Sequence, residues 1–294
     1  MSIAVAISTR DRPEQLARCL EALRAGDVLP VEVVVADQSE GEATRAVVDQ
    51  ASGPELPVRY LRARPGGLGV AQNDAVGASS SELVAILDDD CIADRRWLAE
   101  LAALFAAEPA LGLAGGRVLP LGAVAPDAVA VSSRTSTVPL ALTARAMPWD
   151  VGSGNNFAVR RSAWAAVGGC DERLGPGSPA RGGVDMDVFY RLLQVAPARY
   201  VPAALVFHER TTAAGRIARR SAYGYGTGAC IALWLRERHD RQAWRVLGAW
   251  LRMRSGLLAR AVARRRWQAA YEELLVLCGT AAGLVHGIRV ARRQ

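Results

Sequence analysis

The 294-residue chain reads as an α/β fold on a doubly wound, mostly parallel sheet, followed by a basic helical region. Three observations predict it. Short apolar runs rich in Val and Ile alternate with helical patterns as far as Asp90, the order that builds parallel sheets. Several of these runs end on polar or acidic residues, at the carboxyl ends of strands where such sheets bind ligands. Beyond residue 212 the strand patterns stop and Arg becomes the dominant charge.

The elements follow in order. Residues 3–8 are a short apolar run with β-branched members, a buried strand. Asp11 and Pro13 have the form of a helix N-cap with an early Pro. Leu16, Cys19, Leu20 and Leu23 then recur at helical spacing, and Gly26 ends the helix. Residues 31–37 (VEVVVAD) are a second strand, 41–51 a helix, 58–62 a third strand and 69–78 a helix. Residues 83–87 (LVAIL) are a strand running into Asp88-Asp89-Asp90. Residues 120–150, rich in Ala, Val, Ser and Pro with weak periodicity, read as an irregular insertion that forms part of the acceptor site. From Gly152 onward, glycine-rich stretches with embedded carboxylates suit a substrate-facing rim. Residues 213–288 read as two or three helices. The chain divides into a catalytic unit, 1–212, and a basic helical extension, 213–294.

Composition removes several classes. At 51% apolar and 22% charged the chain is not disordered, and it shows no internal repeat. Its N-terminus lacks the pattern of a secretory leader. Its five cysteines are scattered without a C-x-x-C pair, so a reducing cytosol is expected, with no disulfides and no cysteine zinc site. All 36 basic residues are Arg, which excludes chemistry that needs a phosphate-binding or Schiff-base Lys. Residues 213–294 hold 16 Arg against Glu237, Asp240, Glu272 and Glu273, whereas 1–212 is net acidic. This asymmetry predicts that the extension meets an anionic surface. Within it Trp244, Leu247, Leu251, Leu258 and Val262 share one helical face, and Arg241, Arg245, Arg252 and Arg260 another. That pattern serves a helix packed on the body with a solvated basic face, or an interfacial helix on anionic lipid. Residues 274–288 are apolar but short of the ~20 needed to span a bilayer. Attachment is therefore peripheral at most, on the inner face of the plasma membrane.

Three successive carboxylates, Asp88, Asp89 and Asp90, repel one another unless solvated, capping a helix or bound to a hard divalent cation. Asp37, ending a strand, suits a capping role or a hydrogen bond to a nucleobase or ribose. Asp185 and Asp187 lie in GGVDMDVFYRLL, at a helix start where the dipole favours an anion. A carboxylate there suits either that dipole alone or proton abstraction from a hydroxyl. His208, after the apolar run 203–207, is a satisfied polar group or a neutral imidazole completing a metal shell. Gly67-Leu68-Gly69 is not a dinucleotide fingerprint, since Gln72 stands where the third Gly belongs, and Gly152-Ser153-Gly154 is not a nucleophile elbow.

Seven segments in order, AISTRDRP, VVVADQS, GLGVAQNDAVGAS, AILDDDCIADRRWL, GSGNNFAVRRSAWAAVGGCDERLG, GVDMDVFYRLL and VPAALVFHE, resemble the family 2 glycosyltransferases of the GT-A fold over about residues 3–212. The resemblance implies that Thr9, Asp11 and Asp37 line the base pocket. It implies that Asp88, Asp89 and Asp90 form the D-x-D motif, with Asp88 and Asp89 on the nucleotide side and Asp90 a direct ligand of Mn²⁺ or Mg²⁺. It makes Asp185 the general base and brings His208 to the metal or diphosphate. Three positions depart from the pattern: Gln72 for an Arg before Asn73, Val184 for the Glu of a Glu-Asp pair, and Cys170 for an aromatic before Asp171-Glu172. The implied reaction is an inverting transfer from a nucleotide-diphosphate sugar to an acceptor hydroxyl; the basic extension adds the expectation that the acceptor is lipid-linked or assembled at a membrane. Two rival classes fit less well. A nucleic-acid-binding protein would explain the Arg-rich extension, but no such motif is present and the acidic front repels phosphate without a metal. A sugar nucleotidyltransferase needs a glycine-rich N-terminal loop and a Lys on phosphate, and the chain has neither.

Overall fold

The computed structural model describes residues 2–122 and 127–291, and of 288–291 the backbone alone. The chain runs β1 (Ile3–Thr9), α1 (Pro13–Arg24), β2 (Val33–Asp37), α2 (Ala43–Ala51), β3 (Val58–Arg62), α3 (Leu68–Ala78), β4 (Leu83–Asp88), β5 (Cys91–Ala93) and α4 (Trp97–Ala107). It continues through β6 (Leu113–Pro120), β7 (Ala128–Val129), β8 (Leu140–Leu142), α5 (Pro148–Val151), β9 (Asn156–Arg160), α6 (Arg161–Ala166), α7 (Val184–Val195), β10 (Ala198–His208) and β11 (Thr211–Thr212). Three long helices follow: α8 (Ala213–Arg236), α9 (Gln242–Ala263) and α10 (Trp267–Ala291).

The main sheet has the order β3-β2-β1-β4-β9-β6-β10-β5, with β8 against β10. β3, β2, β1 and β4 are parallel, as the alternation of runs and helices requires. β9 then inserts antiparallel between β4 and β6. Of this second half of the sheet only the end of β10 is legible in the sequence, as the strand-like apolar run 203–207; β6, β9 and α4 have too little alternation. The stretch 120–150 is irregular as expected, yet it contributes β8 to the sheet edge and β7 to a two-stranded ribbon with β11. Residues 123–126 of that stretch lie outside the described residues.

Two apolar layers sandwich the sheet. One joins α1 and α4 to the strands through Leu16, Leu20, Trp97, Leu101 and Phe105. The other joins α3 and α7 to Cys230, Ile231, Leu233 and Trp234 of α8 and to Val246 and Leu247 of α9. The C-terminal helices therefore share the core of the sheet. Their closeness rests on glycine. A Cβ at Gly283 would lie 1.9 Å from the Tyr225 carbonyl oxygen, and one at Gly228 would lie 2.1 Å from that of Thr280. No helix of the described residues is long and apolar enough to cross a membrane.

Candidate active site

Parallel register lines up the first group of residues. Thr9 pairs with Asp37 and Asp37 with Arg62 in one row, and Asp88 pairs with Ser8 one residue back, so Thr9, Asp37 and Asp88 all lie at the carboxyl edge. Beyond β2 and β3 lies an open cleft of about 440 Å³ lined by Gln38, Ser39, Glu40, Arg62, Ala63 and Pro65. Asp37 is wholly buried beneath it. It accepts hydrogen bonds from the Ser39 backbone N–H (2.8 Å), the Ser39 hydroxyl and the Tyr60 hydroxyl (3.0 Å), with Arg62 Nη1 3.8 Å away. Its carboxylate thus organises the cleft floor and does not face the opening.

Asp11 differs from its expected cap. The N-cap position of α1 is Arg12, with no side-chain capping bond, and Pro13 opens the helix. Asp11 adopts a left-handed φ of 55°, a conformation Asp tolerates better than most residues. Its backbone N–H donates to Ser39 Oγ (2.7 Å), and its side chain is 61% exposed at the rim. The turn sends Arg12 toward the acidic run, a role that sequence patterning missed. Arg12 Nη1 lies 3.2 Å from Asp89 Oδ1 and 3.1 Å from Asp90 Oδ2. Asp89 also accepts from the Thr9 hydroxyl (2.7 Å).

Burial, reinforced by Asp90 and Asp89, pushes the Asp88 carboxyl well above the usual range. Burial also raises Asp89, against the opposing hydrogen bond from Thr9 and the charge of Arg12. The acidic run is under-compensated by the protein's own donors.

The strand β5 explains how Asp90 meets a residue more than a hundred positions away. Cys91 pairs antiparallel with His208 at the end of β10, bringing Asp90 Oδ1 within 3.4 Å of His208 Nε2. His208 Nδ1 lies 2.7 Å from the Glu209 carbonyl oxygen, which only accepts, so Nδ1 carries the proton and Nε2 presents its lone pair. Asp90 Oδ1 is buried without any hydrogen-bond donor. Two lone pairs facing each other in a buried site are satisfied when a cation, a metal ion or a proton, lies between them. Asp90, Cys91 and His208 offer donor atoms all within 4.8 Å of one another. The Cys91 thiol is held protonated, its pKa raised by burial and by Asp88 and Asp90, and its Sγ lies 3.9 Å from the Asn155 carbonyl oxygen. Carboxylate and imidazole remain, a donor set that suits Mn²⁺ or Mg²⁺.

Asp185 stands at the N-terminus of α7, half-buried. It accepts from the Met186 backbone N–H (2.9 Å) and from that of Gly154. A Cβ at Gly154 would lie 2.8 Å from Asp185 Cβ, so the glycine permits this approach. Burial raises the Asp185 carboxyl above its usual range, against these backbone donors, as suits a proton acceptor. Asp187 is different. It is 1% exposed, paired with Arg191 Nε (2.8 Å) and with the Trp234 indole N–H of α8 (2.7 Å). Of the asparagines of GSGNN, Asn156 proves structural: it accepts from Trp97 Nε1 and donates to the carbonyls of Arg117 and Ala204.

The departures from the family pattern have local partners. Cys170 Sγ donates to Gln72 Oε1 (3.3 Å), so two of the three unusual residues meet in the core. Val184 is buried, packing where a Cβ at Gly175 or Gly69 would touch it.

Comparisons agree with this architecture. Over 238 residues the chain is 29% identical to the pre-mycofactocin glycosyltransferase of Mycobacterium tuberculosis, in strains CDC 1551 and H37Rv, covering 79% of this chain and 47% of the relative. The chain thus spans about half the length of the curated relatives it matches. Among solved structures, the mannosyltransferase PcManGT from Pyrobaculum calidifontis, in complex with GDP-Man and Mn²⁺, superposes with a TM-score of 0.65 at 17% identity, covering 96% of this chain and 86% of that one. S. aureus TarS 1-349 in complex with UDP gives a TM-score of 0.56 at 16% identity, covering 99% and 90%. These neighbours share the GT-A fold of a mostly parallel central sheet. The model of "Glycosyl transferase family 2" matches residues 4–163, and with that match over more than half its length the chain belongs to glycosyltransferase family 2.

Proposed function

We propose that the chain is a metal-dependent, inverting glycosyltransferase that moves a sugar from a nucleotide-diphosphate sugar to an acceptor hydroxyl. The observation that carries this reading is the pair of facing lone pairs on Asp90 Oδ1 and His208 Nε2, 3.4 Å apart beside an acidic run. Asp90 and His208 hold the divalent cation, Mn²⁺ or Mg²⁺, which when bound supplies Lewis-acid charge to the leaving diphosphate. Thr9, Asp11, Asp88 and Asp89 line the nucleotide side, and Asp37 keeps the base cleft in shape through Ser39 and Tyr60. Asp185 accepts the proton of the acceptor hydroxyl as its oxygen bonds to the anomeric carbon and the bond to the diphosphate breaks. One base and one displacement invert the anomeric centre. Arg12 supplies fixed positive charge to the same edge, a task other chains can give to Lys. The PcManGT complex holding GDP-Man and Mn²⁺ on the same fold supports the reading. The basic C-terminal helices support an acceptor that is lipid-linked or assembled at a membrane.

Nucleotide sugars should be screened for hydrolysis and transfer with Mn²⁺, and Mn²⁺ binding followed by paramagnetic resonance. Asp90→Asn and His208→Ala are expected to lose both metal binding and transfer, and Cys91→Ser to keep both. Full activity after exhaustive chelation refutes the metal assignment.

A further inference from the structure

The charge of the C-terminal helices divides into two populations. Every acid of residues 213–294 is engaged internally. Glu272 and Glu273 are buried and paired with Arg216, Arg220 and Arg254 at 2.7–3.2 Å. Glu237 binds Arg173, and Asp240 binds the Tyr190 hydroxyl. What remains outside is positive. Arg241, Arg245, Arg252, Arg260 and the run Arg264-Arg265-Arg266 are all exposed, and none makes an ion pair among the described residues.

An exposed apolar stripe runs beside these arginines. On α10 the buried side, through Val276, Thr280, Gly283 and Gly287, faces α8. The opposite side carries Trp267 (65% exposed), Tyr271 (53%), Leu274, Cys278 and Val285 at spacings of four, three, four and seven residues. Such spacing keeps one line along a helix, here about 27 Å long. From Ala269 to Gly287 no exposed residue of this helix is charged. On α9 the face that buries Ala243, Val246, Leu247 and Trp250 is bordered by exposed Trp244 (63%), Leu251 and Val262, next to the Arg-bearing side.

We propose that the outward face of α9 and α10, led by the turn Arg264-Arg265-Arg266-Trp267, docks on an anionic lipid bilayer. The occupant follows from charge. A second copy placed by a twofold axis would set one acid-free, Arg-rich face against another, and like charges repel. A bilayer of anionic headgroups complements the arginines, whose planar forks suit phosphate, and accepts Trp, Tyr and Leu at the depth where amphipathic rings settle. The helices lie along the interface, with α8 and the sheet on the aqueous side. This surface is separate from the sugar-transfer site, so its test does not depend on activity.

Co-sedimentation of the full chain with phosphatidylcholine vesicles, with and without phosphatidylglycerol, tests the proposal. Binding should need the anionic lipid and weaken with salt. Arg264→Gln/Arg265→Gln/Arg266→Gln should lower the partition coefficient by about a hundredfold, and Leu274→Glu should also weaken it, with the circular dichroism and melting of both variants unchanged. Cys278 gives a readout on the stripe itself: a membrane-impermeant maleimide should label it quickly in solution and slowly on anionic vesicles. Three outcomes overturn the proposal: no binding at low salt, binding indifferent to these substitutions, or a dimer in analytical ultracentrifugation that Leu274→Glu splits while vesicles leave Cys278 reactive.

Discussion

Asp185→Asn and Asp187→Asn separate the two carboxylates that open α7. Asp187 is sealed against Arg191, itself 5% exposed, and receives the Trp234 indole N–H. Making it neutral leaves a buried guanidinium facing an amide. Losing one partner of a buried pair costs about 3–5 kcal/mol, a fall in Tm on the order of 10 °C for a chain this long. Asp185 carries the opposite sign. Burial raises its carboxyl in the folded state above the ordinary 3.8, so the folded chain holds that proton longer than the unfolded one. The contribution to stability is complete below the ordinary value and is lost as pH rises through the folded-state value. Asn removes this loss, so Asp185→Asn should melt no lower than the parent at pH 7 and should show less of the decline with rising pH. Its transfer rate should fall by about 10²–10⁴, as expected for a missing general base, while nucleotide affinity is retained. Thermal melting across pH, with single-turnover transfer measured on the folded fraction, checks both arms. An Asp187→Asn variant that melts with the parent, or an Asp185→Asn variant that still transfers, refutes the division of labour.

Other expectations are simpler. Gly283→Ala should destabilise the chain by at least about 1–3 kcal/mol in urea unfolding, since its Cβ would meet the Tyr225 carbonyl oxygen at 1.9 Å. Gly248→Ala, with nothing within 4 Å of the new Cβ on helix α9, should stabilise by about 0.5–1 kcal/mol in the same assay. Arg12→Gln should tighten Mn²⁺ binding several-fold in titration calorimetry, because a guanidinium that competes for Asp89 and Asp90 is gone; Arg12 is 45% exposed, which keeps the effect modest. Transfer should fall on an acid limb above the usual Asp range, given the raised Asp185 carboxyl.

In the parallel half of the sheet β1, β2 and β4 were legible because each is a continuous apolar run closed by a polar residue, at Thr9, Asp37 and Asp88. The antiparallel strand β9 was not, since Asn156–Arg160 begins on a buried Asn bonded to three other segments and carries no alternation. The acidic run and His208 stood out separately as residue types; their meeting depends on the register of β5 against β10, a pairing across more than a hundred residues. Arg12 gave no signal, because nothing in a single sequence distinguishes an Arg turned inward by one left-handed residue from one in solvent. Asp37 was conspicuous at its strand end, yet its burial follows from Ser39 in the loop just beyond it and from Tyr60 on the neighbouring strand β3.

The composition shift at residue 212 marks a change of surface more than a change of core. Thr212 caps α8, accepting from the Gly215 N–H, so a helix begins there. But Gly226 of α8 touches the turn before α7, where a Cβ would lie 2.1 Å from the Gly182 carbonyl carbon, and Gly183 holds a φ of 83° against the same glycine. That turn carries directly into Asp185. A few residues on, Trp234 stacks on Tyr190 at 3.9 Å and bonds Asp187. The helix whose inner face fixes α7 is thus α8, the one on which α9 and α10 pack with their basic and apolar face outward. A body held at a surface by α9 and α10 would hold its proton acceptor in a fixed pose relative to that surface, as transfer to an acceptor anchored there requires.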